Sequence, residues 1–280
     1  MELTVAAVQL SSGSDTSRNV EEAERLVEEA ADKGARYVLL PEYFNFLGPF
    51  SGFERAAESV PGPTTTRMAQ LAQSRALTLH LGSLLEESPV KGKFFNTSVV
   101  IGPSGEIVAT YRKIHLFDVN VPEAIVHRES DIIAPGDEMV VAQLTDFSLG
   151  LSVCFDVRFP ELYRALALTG AEVIAIPAAF NAVTGRAHWD LLVRARAVEN
   201  HVFVVAATQV GTTAEGIATY GHSLIVDPWG EVLAESTGDE PEVVIATLDL
   251  RDVARRRAQI AVMDFRRPDI YEQTVHVFDE

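Results

Sequence analysis

Cysteine occurs once in these 280 residues, at position 154, so no disulfide can form within the chain. That usage is what a protein kept in a reducing cytoplasm is expected to show. Neither a Gly-x-Gly-x-x-Gly pattern nor a phosphate-loop lysine motif occurs, which removes the usual signatures of nucleotide binding. The histidines (His80, His115, His127, His188, His201, His222 and His276) are scattered, with no His-Glu-x-x-His or paired-cysteine spacing. No metal is therefore expected, and nucleotide binding has no support. Positive charge is scarce as well: 23 Lys and Arg against 40 Asp and Glu give a formal charge of −17. Such a surface repels phosphate backbones and anionic headgroups, so nucleic acid and membrane surfaces are not expected partners. A small anion stays open, because one buried Arg or Lys inverts the field locally. The N-terminal apolar stretch has no basic residues before it and is too short to span a bilayer, so it reads as a first strand rather than a signal peptide. No Gly/Ser linker or charge run breaks the chain. Residues 1–280 are read as one domain, with a tail from about residue 262.

What is present is an ordinary globular balance, 47% hydrophobic and 22% charged, which is ample for a core. Strand-like and helix-like stretches alternate. Strands are expected at 3–9, 36–40, 77–84, 94–101 and 106–111, and helices at 19–33 and 64–75. Asn19 and Glu22 have the spacing of a capping box, and Gly34 stops that first helix. The second half repeats the theme, with strands at 149–154, 173–177, 202–208 and 243–248. Helices are expected at 160–169, 188–200 and 252–257, and two strands, 223–227 and 231–234, pair across a turn. Residues 101–109 (IGPSGEIVA) resemble 226–234 (VDPWGEVLA) in length and turn chemistry. Pro and Gly at matched positions suit the same hairpin. Such turns are common enough to coincide, but the match also fits two similar αβ halves packed sheet to sheet with helices outside.

Three segments carry chemistry. Cys154 ends a buried run, Leu149 to Val153, and precedes a helix announced by Pro160, a position where α/β proteins place reacting groups. It reads equally as a small buried hydrophobe. A thiol nucleophile needs a base. Glu42, at the end of Val38-Leu39-Leu40-Pro41, supplies one if it is buried rather than at the sheet rim. Lys113, in Tyr111-Arg112-Lys113, is either a fixed charge for an oxyanion or a solvated edge residue.

Taken together these segments resemble a known family. Pro41-Glu42-Tyr43-Phe44, Tyr111-Arg112-Lys113-Ile114-His115-Leu116-Phe117-Asp118 and Cys154-Phe155-Asp156-Val157-Arg158-Phe159-Pro160-Glu161 look like the three catalytic motifs of the nitrilase, or carbon–nitrogen hydrolase, superfamily. The order Glu, Lys, Cys is the family's, and the likeness runs on through Ala179–Gly185, 188–200, 220–231 and 265–271.

The resemblance implies an α/β four-layer α-β-β-α sandwich, usually paired into a homodimer or larger assembly. It implies a Glu42–Lys113–Cys154 triad that hydrolyses a small linear amide through a thioester, without a cofactor. Glu129, sixteen residues after Lys113, matches the family's additional glutamate, with Glu123 as the rival position. Phe155 is expected to offer its backbone N–H to the oxyanion, although these branches commonly carry tyrosine there. Phe180 and Thr184 resemble pocket residues of the omega-amidase and deaminated-glutathione amidase branches. Arg158 would then pair with a substrate carboxylate through its guanidinium, or else shape the turn by pairing with Glu161. The alternatives are an N-carbamoyl amino acid or amine amidohydrolase, a true nitrilase, and a non-catalytic binding subunit of the same fold.

Overall fold

A computed structural model describes residues 1–121, 125–213, 216 and 218–271. The first half builds β1 (Glu2–Gln9), α1 (Thr16–Asp32), β2 (Tyr37–Leu39), the short α2 (Phe53–Ala56), α3 (Pro63–Arg75), β3 (Thr78–His80), β4 (Leu84–Glu87), β5 (Phe94–Ile101) and β6 (Ile107–Arg112). A hairpin follows, β7 (Asp118–Val121) against β8 (Ile125–Arg128). The second half contains β9 (Val141–Gln143), β10 (Ser148–Leu151), α4 (Pro160–Leu168), β11 (Val173–Ala178), α5 (Ala182–Asn200), β12 (Phe203–Thr208), the ribbon β13 (Val210–Thr212) and β14 (Ala218–Tyr220), and the pair β15 (Leu224–Val226) and β16 (Val232–Glu235). β17 (Glu242–Asp249), α6 (Arg251–Gln259) and α7 (Pro268–Tyr271) close the described chain.

Two main sheets result, ordered β17-β1-β2-β3-β5-β4 with β6 on β5, and β16-β15-β12-β11-β10-β9. Each has three parallel strands joined through helices, β1-β2-β3 in one and β10-β11-β12 in the other. Residue alternation explains the layering. Val5 and Ala7 of β1, with Tyr37 and Leu39 of β2, point into a core shared with β10, β11 and β12. Ala6, Val8 and Val38 point the other way, onto Val20, Leu26 and Val27 of α1 and Met68 of α3. A strand buried on both faces needs this near-continuous apolar run. Helices therefore cover the outer face of each sheet, giving an α-β-β-α sandwich.

The sequence echo at 101–109 and 226–234 is a structural repeat. Both segments are hairpin turns closing antiparallel pairs, β5–β6 and β15–β16. Each has a bulge at the matched step, Val100/Ile101 and Ile225/Val226, and a left-handed glycine, Gly105 (φ 87°) and Gly230 (φ 86°).

Local boundaries differ in instructive ways. The first helix begins three residues earlier than expected: Asp15 is its cap, accepting from the Arg18 N–H at 3.1 Å. Asn19 is buried instead and ties loops together, donating to the Gly13 and Asn45 carbonyls. The long strand expected at 77–84 is broken by Gly82, whose φ of 62° turns the chain between β3 and β4. β10 stops at Leu151, short of Cys154.

Candidate active site

Four strand ends meet at one place. Glu42 follows β2, Lys113 follows β6, Cys154 follows β10, and Ala179 follows β11. β6 runs in the same direction as β2 because two antiparallel pairings separate it from β3, so their C-terminal ends coincide. The Lys113 N–H is held by the Asn96 carbonyl at 2.9 Å, which extends the β5–β6 register up to the site.

Cys154 opens a single 3-10 turn, Cys154–Arg158, in the left-handed region with φ 49°. That conformation costs a non-glycine residue roughly 1–2 kcal/mol and must be imposed by its surroundings. Asp156 imposes it. Its Oδ2 accepts from the Val153 N–H at 2.8 Å and the Tyr111 hydroxyl at 2.7 Å, and its Oδ1 accepts from the His115 N–H at 3.1 Å and meets the His115 Nδ1 at 2.7 Å. Asp156 is fully buried, and these contacts lock the Cys154 turn to the segment carrying Lys113.

Glu42, Lys113 and Glu129 are all buried and in contact. Lys113 Nζ lies 3.0 Å from Glu42 Oε1, 2.8 Å from Glu129 Oε2 and 3.1 Å from Glu129 Oε1. Asn96 Nδ2 donates to Glu42 Oε1 (2.8 Å) and to Glu129 Oε1 (3.3 Å). The other Glu42 oxygen accepts the Ala179 N–H at 2.8 Å. Glu129 also receives the Tyr43 hydroxyl at 3.1 Å and the Phe117 N–H at 2.7 Å.

Two carboxylates surround one ammonium, and the proton affinities follow. Burial alone would lower the Lys113 pKa, but Glu129 and Glu42 outweigh it and hold the ammonium well above its ordinary range. Burial would raise Glu129, yet Lys113 and the donors to its carboxylate keep it low, so it stays ionised. The Cys154 thiol is pushed well up by burial and then by the neighbouring Glu42 carboxylate, with Lys113 opposing. The resting thiol is therefore protonated.

These side chains form the floor of a cavity of about 300 Å³. Its walls are mostly aromatic and aliphatic: Phe46, Leu47, Pro49, Phe50 and Phe53 from one loop, then Phe117, Phe155 and Phe180. Thr184 lines it too, as do Asn181 and His127. Arg158 does not. Its guanidinium carbon lies 5.6 Å from the Phe155 ring centre and 5.3 Å from that of Phe180, and Nη1 is 3.4 Å from His188 Nδ1. Among the described residues it pairs with no carboxylate, Glu161 included. Glu123 lies outside the described residues. Among the described residues no cluster of His, Cys, Asp or Glu could hold a metal.

Sequence reading passed over Asn96, Asp156 and the aromatic loop. An asparagine inside the β-rich run Phe94–Ile101 is the one local hint of the first. Asp156 was in view but had no assigned task.

Known proteins share this sequence pattern and this fold. A family model described as carbon-nitrogen hydrolase matches residues 4–258. The chain is 41% identical over 267 residues to human omega-amidase NIT2, covering 95% of this chain and 96% of that protein. Among solved structures, the Caenorhabditis elegans NitFhit protein superposes with a TM-score of 0.89 at 35% identity, covering 96% of this chain, which spans 66% of the NitFhit length. A variant of the Nesterenkonia amidase, carrying the acetamide moiety of fluoroacetamide on its active-site cysteine, superposes with a TM-score of 0.77 at 28% identity, covering 94% of this chain and 97% of its own.

Proposed function

The chain belongs to the carbon–nitrogen hydrolase family, and we propose that it is an omega-amidase in which Cys154, Glu42 and Lys113 perform the chemistry and Glu129 holds the lysine. The observation that carries this reading is the buried Glu42–Lys113–Glu129 cluster, which lines an apolar cavity together with Cys154. The human relative's name supplies the substrate class, an omega-amide, and a distal carboxylate on that amide is part of the proposal.

Because the thiol rests protonated, proton transfer accompanies attack. Glu42 takes the Sγ proton as Sγ adds to the amide carbon. The developing oxyanion is met by Lys113 Nζ and the Phe155 N–H, both of which stand beside Cys154 before the substrate arrives. Glu42 then returns the proton to the amide nitrogen, the C–N bond breaks, and ammonia leaves a thioester on Cys154. Water enters, Glu42 takes one of its protons, and the hydroxyl oxygen adds to the thioester carbon. Collapse releases the acid, and the proton goes back to sulfur. Every step is completed by groups of this chain.

Phe155, Phe180 and Thr184 form substrate walls in this reading. Arg158 acts by its positive field, since it is half-buried beside Cys154 but off the wall. Residues 1–280 act as a single unit. Leu191 and Val198, seven residues apart on α5 and 68% and 44% exposed, lie on one helix face and are the candidate surface for homodimer formation. Sedimentation of wild type against Leu191→Glu measures that pairing. Among the described residues no helix is long and apolar enough to cross a membrane. A cytoplasmic location is part of the same proposal, tested by fractionation.

Ammonia release from succinamate, 2-oxoglutaramate, deaminated glutathione and N-carbamoyl amino acids, with Cys154→Ala as control, tests the activity. Turnover of an omega-amide that vanishes in the variant is expected. Turnover confined to the carbamoyl compounds, with carbon dioxide released alongside ammonia, would move the protein to a carbamoyl amidohydrolase.

A further inference from the structure

A substrate that ends in a carboxylate must place that charge against the cavity wall, and the wall offers few donors. A buried carboxylate without a donor is costly. Arg158, the cation nearest in sequence to Cys154, does not line the cavity. The hydroxyls of Thr184 and Thr219 do, but each points its proton at a backbone carbonyl, that of Asn181 at 3.4 Å and that of Gly211 at 3.1 Å. The Asn181 side-chain oxygen is occupied in capping α5, where it accepts the Val183 N–H, and its amide nitrogen is a donor that stays uncharged.

His127 differs from all of these. Among the described residues it is the one ionisable wall residue outside the Glu42, Tyr43, Lys113, Glu129 and Cys154 cluster. Its ring is set between two aromatic neighbours, Phe50 (centres 5.5 Å apart) and Phe117 (5.6 Å). No hydrogen bond to either ring nitrogen is made by any described residue. The strand β8 fixes its direction, because His127 pairs with Val119 in the hairpin and Glu129, two residues on, is anchored by the Phe117 N–H.

We propose that His127 is a specificity residue, hydrogen-bonding the distal carboxylate of an omega-amide whose carboxamide lies on Cys154. The proposal rests on the omega-amidase reading above. A neutral imidazole always carries one N–H, and among the described wall residues outside the Lys113 cluster only this donor can also become a cation when it meets a carboxylate. Burial holds the His127 pKa below its ordinary value; Glu129, Glu42 and Asp118 pull it upward and Lys113 pulls it down. An arriving carboxylate adds to the upward pull and turns the contact into a charge-assisted one.

The test is His127→Phe, which keeps an aromatic ring between Phe50 and Phe117 and removes the donor. Steady-state kinetics are measured with succinamate and with butyramide, which share the carboxamide and chain length and differ only in the terminal carboxylate. The expected result is a KM for succinamate raised about tenfold to a hundredfold, the range of one charge-assisted hydrogen bond. kcat stays within about twofold, and kcat/KM for butyramide is unchanged or higher. Equal losses on both amides would make the ring merely structural, and an unchanged preference for succinamate would show that another group receives the carboxylate. Either result overturns the assignment while leaving the omega-amidase reading intact. A wild-type enzyme that favours butyramide, or turns over neither, would overturn both.

Discussion

Lys113 and Glu129 form a doubly contacted pair closed off from solvent, with Nζ 2.8 Å from one carboxylate oxygen and 3.1 Å from the other. The same lysine is 3.0 Å from Glu42. Glu129 therefore settles which carboxylate the ammonium neutralises. Without its charge, Lys113 would pair fully with Glu42 and weaken the base. Glu129→Gln, which keeps the shape, is expected to lower kcat by about 10²-fold or more, the scale of a general-base contribution. It should also lower the melting temperature, because a buried charge loses a partner. Wild-type kcat in a folded Glu129→Gln protein would remove Glu129 from the working cluster.

Asp156 holds the Cys154 turn, so Asp156→Asn is expected to loosen it. An amide nitrogen in place of Oδ2 would face two donors, the Val153 N–H and the Tyr111 hydroxyl. Alkylation of Cys154 by iodoacetamide should slow about tenfold or more, and kcat should fall alongside, following the loss of alignment. Unchanged alkylation together with unchanged kcat would mean that the turn holds without Asp156.

How much of this could be read from the chain divides along a physical line. Glu42 and Cys154 stand out because apolar runs that pair on both faces must stop where a functional side chain emerges, and the stopping point is visible. The sandwich was legible in the family resemblance, and the two matching hairpin turns fitted its two similar halves. The placement of Arg158 was not legible, because four residues along the chain is not a direction in space. The turn that Cys154 opens carries the Arg158 guanidinium against the Phe155 and Phe180 rings instead. The aromatic wall from Phe46 to Phe53 was hidden, since a loop has no periodicity to announce which face it presents. The first helix cap, expected at Asn19, lies at Asp15, because both residues suit the role and only packing chose between them.

Acid sensitivity should follow from the core as well as the site. His80 is fully buried between the Tyr37 hydroxyl, 2.8 Å from Nδ1, and the Ser98 hydroxyl, 2.5 Å from Nε2, and burial lowers its pKa to about 3. The unfolded chain binds a proton there near pH 6.5 and the folded one does not. Stability is thus complete above about pH 6.5 and declines as pH falls towards 3, by roughly 3 kcal/mol at pH 4 for this residue alone. Urea unfolding of wild type and His80→Gln at pH 7 and pH 4 checks it. The wild-type loss between those values should exceed that of the variant, and equal losses would refute the assignment.

Gly82 and Gly92 both have left-handed backbones, with φ of 62° and 73°. They differ in what a methyl group would meet: at Gly82 the Pro41 carbonyl oxygen 2.1 Å away, at Gly92 nothing within 4 Å. Gly92→Ala is expected to cost about 1 kcal/mol from backbone strain alone. Gly82→Ala is expected to cost about 3 kcal/mol or more, and to reduce activity by displacing the peptide before Glu42. Equal thermal shifts for the two variants would contradict the close approach.

Trp189 packs 4.9 Å from the Phe180 ring and is 1% exposed, with its indole N–H on the His222 carbonyl. The second tryptophan, Trp229, is 43% exposed beneath the Arg256 guanidinium. The molecule thus contains a pair of fluorophores in opposite settings, one a single ring removed from the cavity and one at the surface. Iodide reaches only the second, so the emission that survives quenching comes from a lamp set just behind the cavity wall. Occupancy of that cavity can then be followed by light in the unlabelled wild-type protein, without waiting for a turnover.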